Sequence, residues 1–298
     1  MNIKTKAVWI LVSCLMCLAL AVASCGGTET TGGTTTDQGT DQVVITETET
    51  GGTTQPGSEA AVTPSSDKPL YGGTIVTSSN TNWQDFDEVI GSPIVFNHPM
   101  RFTSQEVWIG DWSKGPAGTN DTRSWSRVML NKTGDIAESW EFDGWDAGTL
   151  IFHIRKGVHW ALDPDSEASK LVGGREVTAE DVAYSFNQVC KTPSAYIYKA
   201  YPMLRVAEIT APDKYTFMVK ADPPTSNWFL RVIDFFHVVP HEVVETYGDM
   251  SDWKNLVGSG PWMLKDLIDN SSVTFARNPN YYMKNPVGPG EGDQLPYA

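Results

Sequence analysis

Cysteine is scarce. There are four in 298 residues, and Cys14 and Cys17 lie in an N-terminal apolar run. The remaining two, Cys25 and Cys190, are too far apart to build a disulfide framework or a cysteine-rich zinc site. Positive charge is also short: 22 Lys and Arg against 36 Asp and Glu give a formal charge of −14. A nucleic-acid binder needs a basic surface to displace counterions, and docking on anionic lipid needs the same, so both are disfavoured. The chain has no P-loop and no Gly-x-Ser-x-Gly elbow. Pro240-His241-Glu242-Val243-Val244-Glu245 holds only half of a zinc-protease motif, because Glu245 stands where the second His would face the metal. His241 reads as a helix-start residue. His153 and His159 have Arg155 and Lys156 between them, which disfavours a cation site. Neighbouring carboxylates such as Asp85, Asp87 and Glu88 are expected to be solvated in so acidic a protein. No catalytic or metal-binding residue and no cofactor is expected.

What is present begins with an address. Lys4 and Lys6 precede an apolar stretch, Ala7–Ser24, long enough for a secretory signal and just long enough for a spanning helix. Val22-Ala23-Ser24-Cys25 resembles the bacterial lipoprotein box, in which the signal is cut before a cysteine that then receives lipid. The expectation is a signal peptide over 1–24 and a lipid anchor at Cys25; an uncleaved anchor helix is the alternative. Loss of Lys4 and Lys6 with the signal takes the charge from −14 to about −16. Cys190 is then the one free thiol, expected as a small buried hydrophobe.

Residues 26–67 hold no aromatic residue and no Lys or Arg, and are rich in Thr, Gly, Ser and acids. Such a segment buries too little apolar surface to offset its ordering entropy. With Cys25, 25–68 is predicted to be a tethering linker. Composition changes at Lys68-Pro69-Leu70. Thr74–Thr77 reads as a short buried strand, and Trp140–Phe142 with Leu150–Arg155 as a hairpin. Val206–Thr210 and Tyr215–Lys220 read as a second hairpin turning at Ala-Pro-Asp-Lys. Thr178 and Asp181 form a capping-box pair opening a helix that carries Val182, Phe186 and Val189. Pro240–Tyr247 reads as a short helix and Ser272–Arg277 as a strand. Strands and helices mix without strict βαβ alternation, which predicts a mixed α/β or α+β fold.

Three ordered stretches carry a family pattern. They are Asp135–Phe142 with Thr149–Trp160; Gly174–Phe186; and Val257–Lys265 with Val273–Tyr282. Together they resemble the family 5 extracellular solute-binding proteins, the dipeptide, oligopeptide and nickel-binding components of ABC importers. The resemblance runs from about Tyr71 to Tyr297. It implies a bilobal type II, class C periplasmic-binding-protein-like fold, with lobe I at 69–96 and 236–272, an inserted domain at 97–235, and the start of a second lobe at 273–298. Such proteins are usually much longer, so the resemblance also implies an N-terminal portion, truncated before most of the second lobe. A second departure is the long, Trp-rich stretch between Ile94 and Arg127.

The resemblance implies a non-enzymatic, extracytoplasmic receptor, in the periplasm or at the cell surface. It would capture a small solute, a peptide by family precedent, and pass it to permease and ATPase partners. A cleft that accepts varied side chains wants apolar or aromatic walls with a few polar groups. Trp83, Trp108, Trp112, Trp125, Trp140, Trp145 and Trp160 follow one another closely; Trp140 and Trp160 fall in the hairpin region and read as structural. The expected ligand-binding residues are Ser79, Asn80 and Trp83 after the first strand, Trp112 and Trp125 around the Gly-rich loop, and Gly260, Pro261 and Trp262, where glycine lets another backbone approach. A nickel or other non-peptide solute, and a carbohydrate-binding surface adhesin, are the competing readings.

Overall fold

The computed structural model describes residues 68–78, 86–90, 100–115, 118–122, 131–142, 148–221 and 236–298. All fall in one unit, Val62–Ala298. In chain order they form helix α1 (Met100–Thr103), strands β1 (Trp108–Gly110), β2 (Lys132–Gly134), β3 (Ala137–Phe142) and β4 (Thr149–Ile154), and helices α2 (Glu167–Val172), α3 (Ala179–Lys191) and α4 (Tyr196–Ala200). There follow β5 (Glu208–Asp213), β6 (Thr216–Lys220), α5 (His241–Tyr247), β7 (Trp262–Ile268) and β8 (Ser272–Arg277). No helix among the described residues is long and apolar enough to cross a membrane. The expected signal peptide, Cys25 and all of the expected linker but Lys68 lie outside the described residues.

Both expected hairpins form, and they join as one antiparallel sheet in the order β3-β4-β6-β5. Register follows the alternation in the sequence. Leu150, Phe152 and Ile154 of β4 point to one buried face, and Phe152 and Leu150 stand opposite Phe217 and Val219 of β6. β5 runs on through Ala211-Pro212-Asp213, so the turn falls at Lys214–Tyr215, later than the sequence suggests. Pro212 sits in the outermost strand, where a missing N–H is tolerated.

Helix α3 covers this sheet. Val182, Phe186 and Val189 recur at helical spacing and are all buried. Its start is fixed by the expected pair: the Thr178 N–H donates to the Asp181 carboxylate at 2.9 Å. The core is threaded by rings. Trp108 meets Phe152 at 4.9 Å, Phe152 stacks on Phe217 at 6.0 Å, and Phe186 meets Phe217 at 5.9 Å and Phe236 at 4.9 Å. Each such side chain, buried fully, contributes on the order of 1.5–3 kcal/mol. Trp160 is also fully buried, and Trp140 lies edge-on to Trp108 at 5.1 Å, so the structural reading of Trp140 and Trp160 holds.

β7 and β8 form a separate antiparallel hairpin. Asn270, in its turn, takes a φ of 55°, a left-handed conformation that Asn tolerates better than most residues. The expected lobe boundary at 272/273 falls inside this hairpin. The Pro240 helix begins one residue later than predicted, with Pro240 as its N-cap.

Thr74–Thr77 corrects the sequence reading. Residues 72–78 pair with no strand among the described residues, and Ile75 and Val76 are 71% and 89% exposed. A β-prone sequence does not bury itself without a neighbour to supply the ladder. The start of this segment is nonetheless held. Lys68 pairs with Asp293 at 3.3 Å, the Tyr71 hydroxyl donates to the Gln294 carbonyl at 2.8 Å, and the Gly72 N–H donates to the Tyr297 carbonyl at 2.8 Å.

Candidate functional site

The Gly258–Trp262 loop leads into β7, and its glycines serve a close approach. The Gly260 N–H donates to the Thr103 carbonyl at 2.8 Å, and the Ala161 N–H to the Gly258 carbonyl at 2.8 Å. The Asn278 side chain donates to the Gly260 carbonyl, also at 2.8 Å. A Cβ on Gly258 would lie 1.8 Å from the Thr103 carbonyl oxygen, and one on Gly260 2.8 Å from it. The backbone that these glycines admit on this side is therefore the protein's own, at the end of α1.

Beside the loop lies a groove of about 580 Å³. Its walls come from Asp163–Ser169, from Trp253–Gly258 and from Trp262–Lys265, with Tyr247 at one edge. Trp262 and Gly258 thus line a cavity, while Gly260 and Pro261 are not among its lining residues. The groove's strongest polar feature is Lys265, whose ammonium donates to both Asp163 oxygens at 2.8 Å and to Asp165 at 3.0 Å. Burial acts to raise the Asp163 pKa, but hydrogen bonds from Lys265 and the Asp165 N–H outweigh it and hold the carboxyl below the usual range. The Ser169 hydroxyl donates to the Ala161 carbonyl at 2.8 Å and accepts from the Asp163 N–H at 2.7 Å. The groove therefore pairs an aromatic and aliphatic wall with charges that already satisfy one another. Asp163 and Lys265 lie 102 positions apart, and no local motif marks either of them.

Trp112 belongs to the turn after β1, and no ring contact among the described residues joins it to Trp262. Ser79, Asn80, Trp83 and Trp125 lie outside the described residues.

Two other clusters gather titratable groups. Asp181, His241 and Glu242 bring their ligand atoms within 4.8 Å of one another. The cation among them is Arg175. Its guanidinium donates to Asp181 at 2.6 and 2.8 Å and to Glu242 through Nε and at 2.7 Å. The hydrogen bonds that it donates to Asp181 foremost hold the guanidinium pKa well above its ordinary value. The second cluster corrects the expectation of solvated acids. Glu88 is buried and accepts from the His237 N–H at 2.8 Å and from His237 Nδ1 at 2.5 Å. Asp87 accepts from the Val89 N–H at 2.7 Å and the Met250 N–H at 2.9 Å. Asp85 lies outside the described residues.

The model of the bacterial extracellular solute-binding proteins, family 5 (middle region) matches residues 132–297. The chain belongs to this family. The family 5 chain is 28% identical over 170 residues to the oligopeptide-binding protein AliA of Streptococcus pneumoniae, covering 53% of this chain and 26% of AliA. It is 27% identical over 175 residues to the periplasmic oligopeptide-binding protein OppA of Salmonella typhimurium, covering 53% of this chain and 30% of OppA. The chain thus spans about a quarter to a third of these relatives. Among solved structures, the oligopeptide-binding protein AppA of Bacillus subtilis, in complex with a nonapeptide, superposes with a TM-score of 0.51 at 17% identity, over 72% of this chain and 38% of AppA. That likeness supports the type II periplasmic-binding fold, in the mixed α/β form expected. The family and these relatives are binding proteins rather than enzymes.

Proposed function

We propose that this family 5 chain captures peptides outside the cytoplasmic membrane and presents them to the permease and ATPase subunits of an ABC importer. The observation that carries the reading is the family match over 132–297, joined to relatives named for oligopeptide binding. In this reading Cys25 bears a lipid anchor, and 25–68 is the linker between it and the receptor. Lobe I is drawn from 69–96 and 236–272, with 97–235 inserted and 273–298 opening the second lobe. Ser79, Asn80, Trp83, Trp112, Trp125 and Gly260–Trp262 are the proposed ligand walls. An aromatic wall suits a peptide because its apolar faces accept varied side chains without demanding one.

The test is a thermal-shift series on the polypeptide of the complete reading frame, with peptide pools of two to nine residues, nickel and glycans. A ligand at a hundred times its Kd stabilises the folded state by about 2.7 kcal/mol, well within detection. Stabilisation by peptides alone supports the proposal; stabilisation by glycans alone favours an adhesin and refutes it. The anchor is tested separately by labelling cells with a fatty-acid analogue: Cys25→Ser should abolish the label, and a labelled variant would exclude lipidation at that thiol.

A further inference from the structure

Asp135 sits between β2 and β3, 5% exposed, with its carboxyl turned into the protein. Two segments close over it. From the stretch before β1, the Gln105 side-chain amide donates to Oδ1, and the Glu106 N–H donates to Oδ2 at 3.2 Å. From the stretch after β8, the Tyr282 hydroxyl lies 3.3 Å from Oδ1 and donates to the Asp135 backbone carbonyl at 2.6 Å.

No ion pair reaches this carboxyl among the described residues. The charged and titratable groups around it are already engaged. Arg155 Nε donates to the Asp135 backbone carbonyl at 3.5 Å, and its guanidinium lies over the Tyr282 ring at 5.4 Å. His237 is held by Glu88 at 2.5 Å, with Glu106 on its other side at 4.0 Å. Tyr281 and Tyr282 are both buried phenols whose pKa values burial pushes up, so neither offers a charge. A buried carboxylate without a counter-charge is unfavourable and tends to take up a proton instead. Burial does push Asp135 up to about 7, against the hydrogen bonds from Gln105, Glu106 and Tyr282 that favour the anion. The Gln105 amide oxygen is also buried without a partner. Turning that amide would present an acceptor to a proton on Asp135.

We propose that Asp135 is a proton-operated latch: carrying a proton, it lets Gln105–Glu106 and Tyr281–Tyr282 close over it, and its ionisation opens that junction to water. The latch does not depend on which solute the protein binds.

The experiment compares urea unfolding of the wild type and Asp135→Asn across neutral pH. A folded-state pKa raised from 3.8 to about 7 gives stability that is fully present below 3.8 and lost as pH rises through 7. Between pH 5 and 7 the folded wild type keeps a proton that the unfolded chain has released. Its unfolding constant, divided by that of Asp135→Asn, should then rise about tenfold per pH unit. A ratio that stays level overturns the proposal. Should the variant fail to fold, carboxyl carbon NMR of the wild type decides: an aspartate titrating near pH 7 supports the latch, and aspartates all titrating below pH 5 refute it. Amide exchange locates the opening. Protection at Glu106 lost selectively above pH 7 supports a latch; loss only together with the whole core overturns it.

Discussion

Replacing Arg175 with Met keeps most of the aliphatic stem and removes the guanidinium that three segments share. Asp181 is 1% exposed and would keep only the Thr178 N–H at 2.9 Å, the Thr178 hydroxyl at 3.3 Å and His241 at 3.6 Å. Removing one partner of a buried ion pair costs about 3–5 kcal/mol, chiefly because the other charge is stranded. Glu242, at 24% exposure, reaches water and adds little, on the order of 0–1 kcal/mol. The expected loss is therefore about 3 kcal/mol, near the lower end of that range. At about 2–4 °C per kcal/mol for a unit of this size, melting should fall by roughly 6–12 °C. Asp181→Asn should cost less, because its oxygen still accepts from Thr178. The double variant should fall short of additivity by about 1–3 kcal/mol, since both changes remove one interaction. Urea denaturation of the four chains at neutral pH closes the cycle. An Arg175→Met loss below about 1 kcal/mol, or strict additivity, would refute the claim that this guanidinium compensates a buried charge.

Gly258→Ala places a methyl carbon 1.8 Å from the Thr103 carbonyl oxygen, so the loop must part from α1; soluble yield and melting temperature should both drop, and an unchanged melt would deny the close approach. In a chain beginning at residue 26, Cys190 is the single thiol; it is buried, and burial pushes its pKa well up. Its reaction with a thiol reagent should wait on unfolding and accelerate with urea, whereas prompt stoichiometric labelling of the native protein would contradict the burial.

The parts of this fold that could be read from the chain are those whose causes are local. The β3–β4 and β5–β6 hairpins follow from alternation and turn residues. The start of α3 follows from Thr178 and Asp181, three positions apart. Ser272–Arg277 is legible as a strand, but its partner β7 is not, because Trp262–Ile268 lacks clean alternation and its pairing shifts register between Leu264 and Asp266. The Thr74–Thr77 reading failed because burial of a strand depends on a neighbour, which its own residues do not specify. The groove and the buried junctions were illegible for the same reason. Lys265 meets Asp163 across 102 positions, His237 meets Glu88 across 149 and Tyr282 meets Asp135 across 147. Tryptophan was ambiguous by chemistry. Trp108 and Trp160 went to the core and Trp262 to the groove wall, and the residue type alone does not choose between them.

The clasp between Lys68–Gly72 and Asp293–Tyr297 decides how strain enters the folded body. Tension applied at position 68 and at position 297 meets within a few ångströms, across one salt bridge, one ring contact and two hydrogen bonds. A pull between those two positions would load these few polar and ring contacts directly, so they form the first bond set that such a load must break.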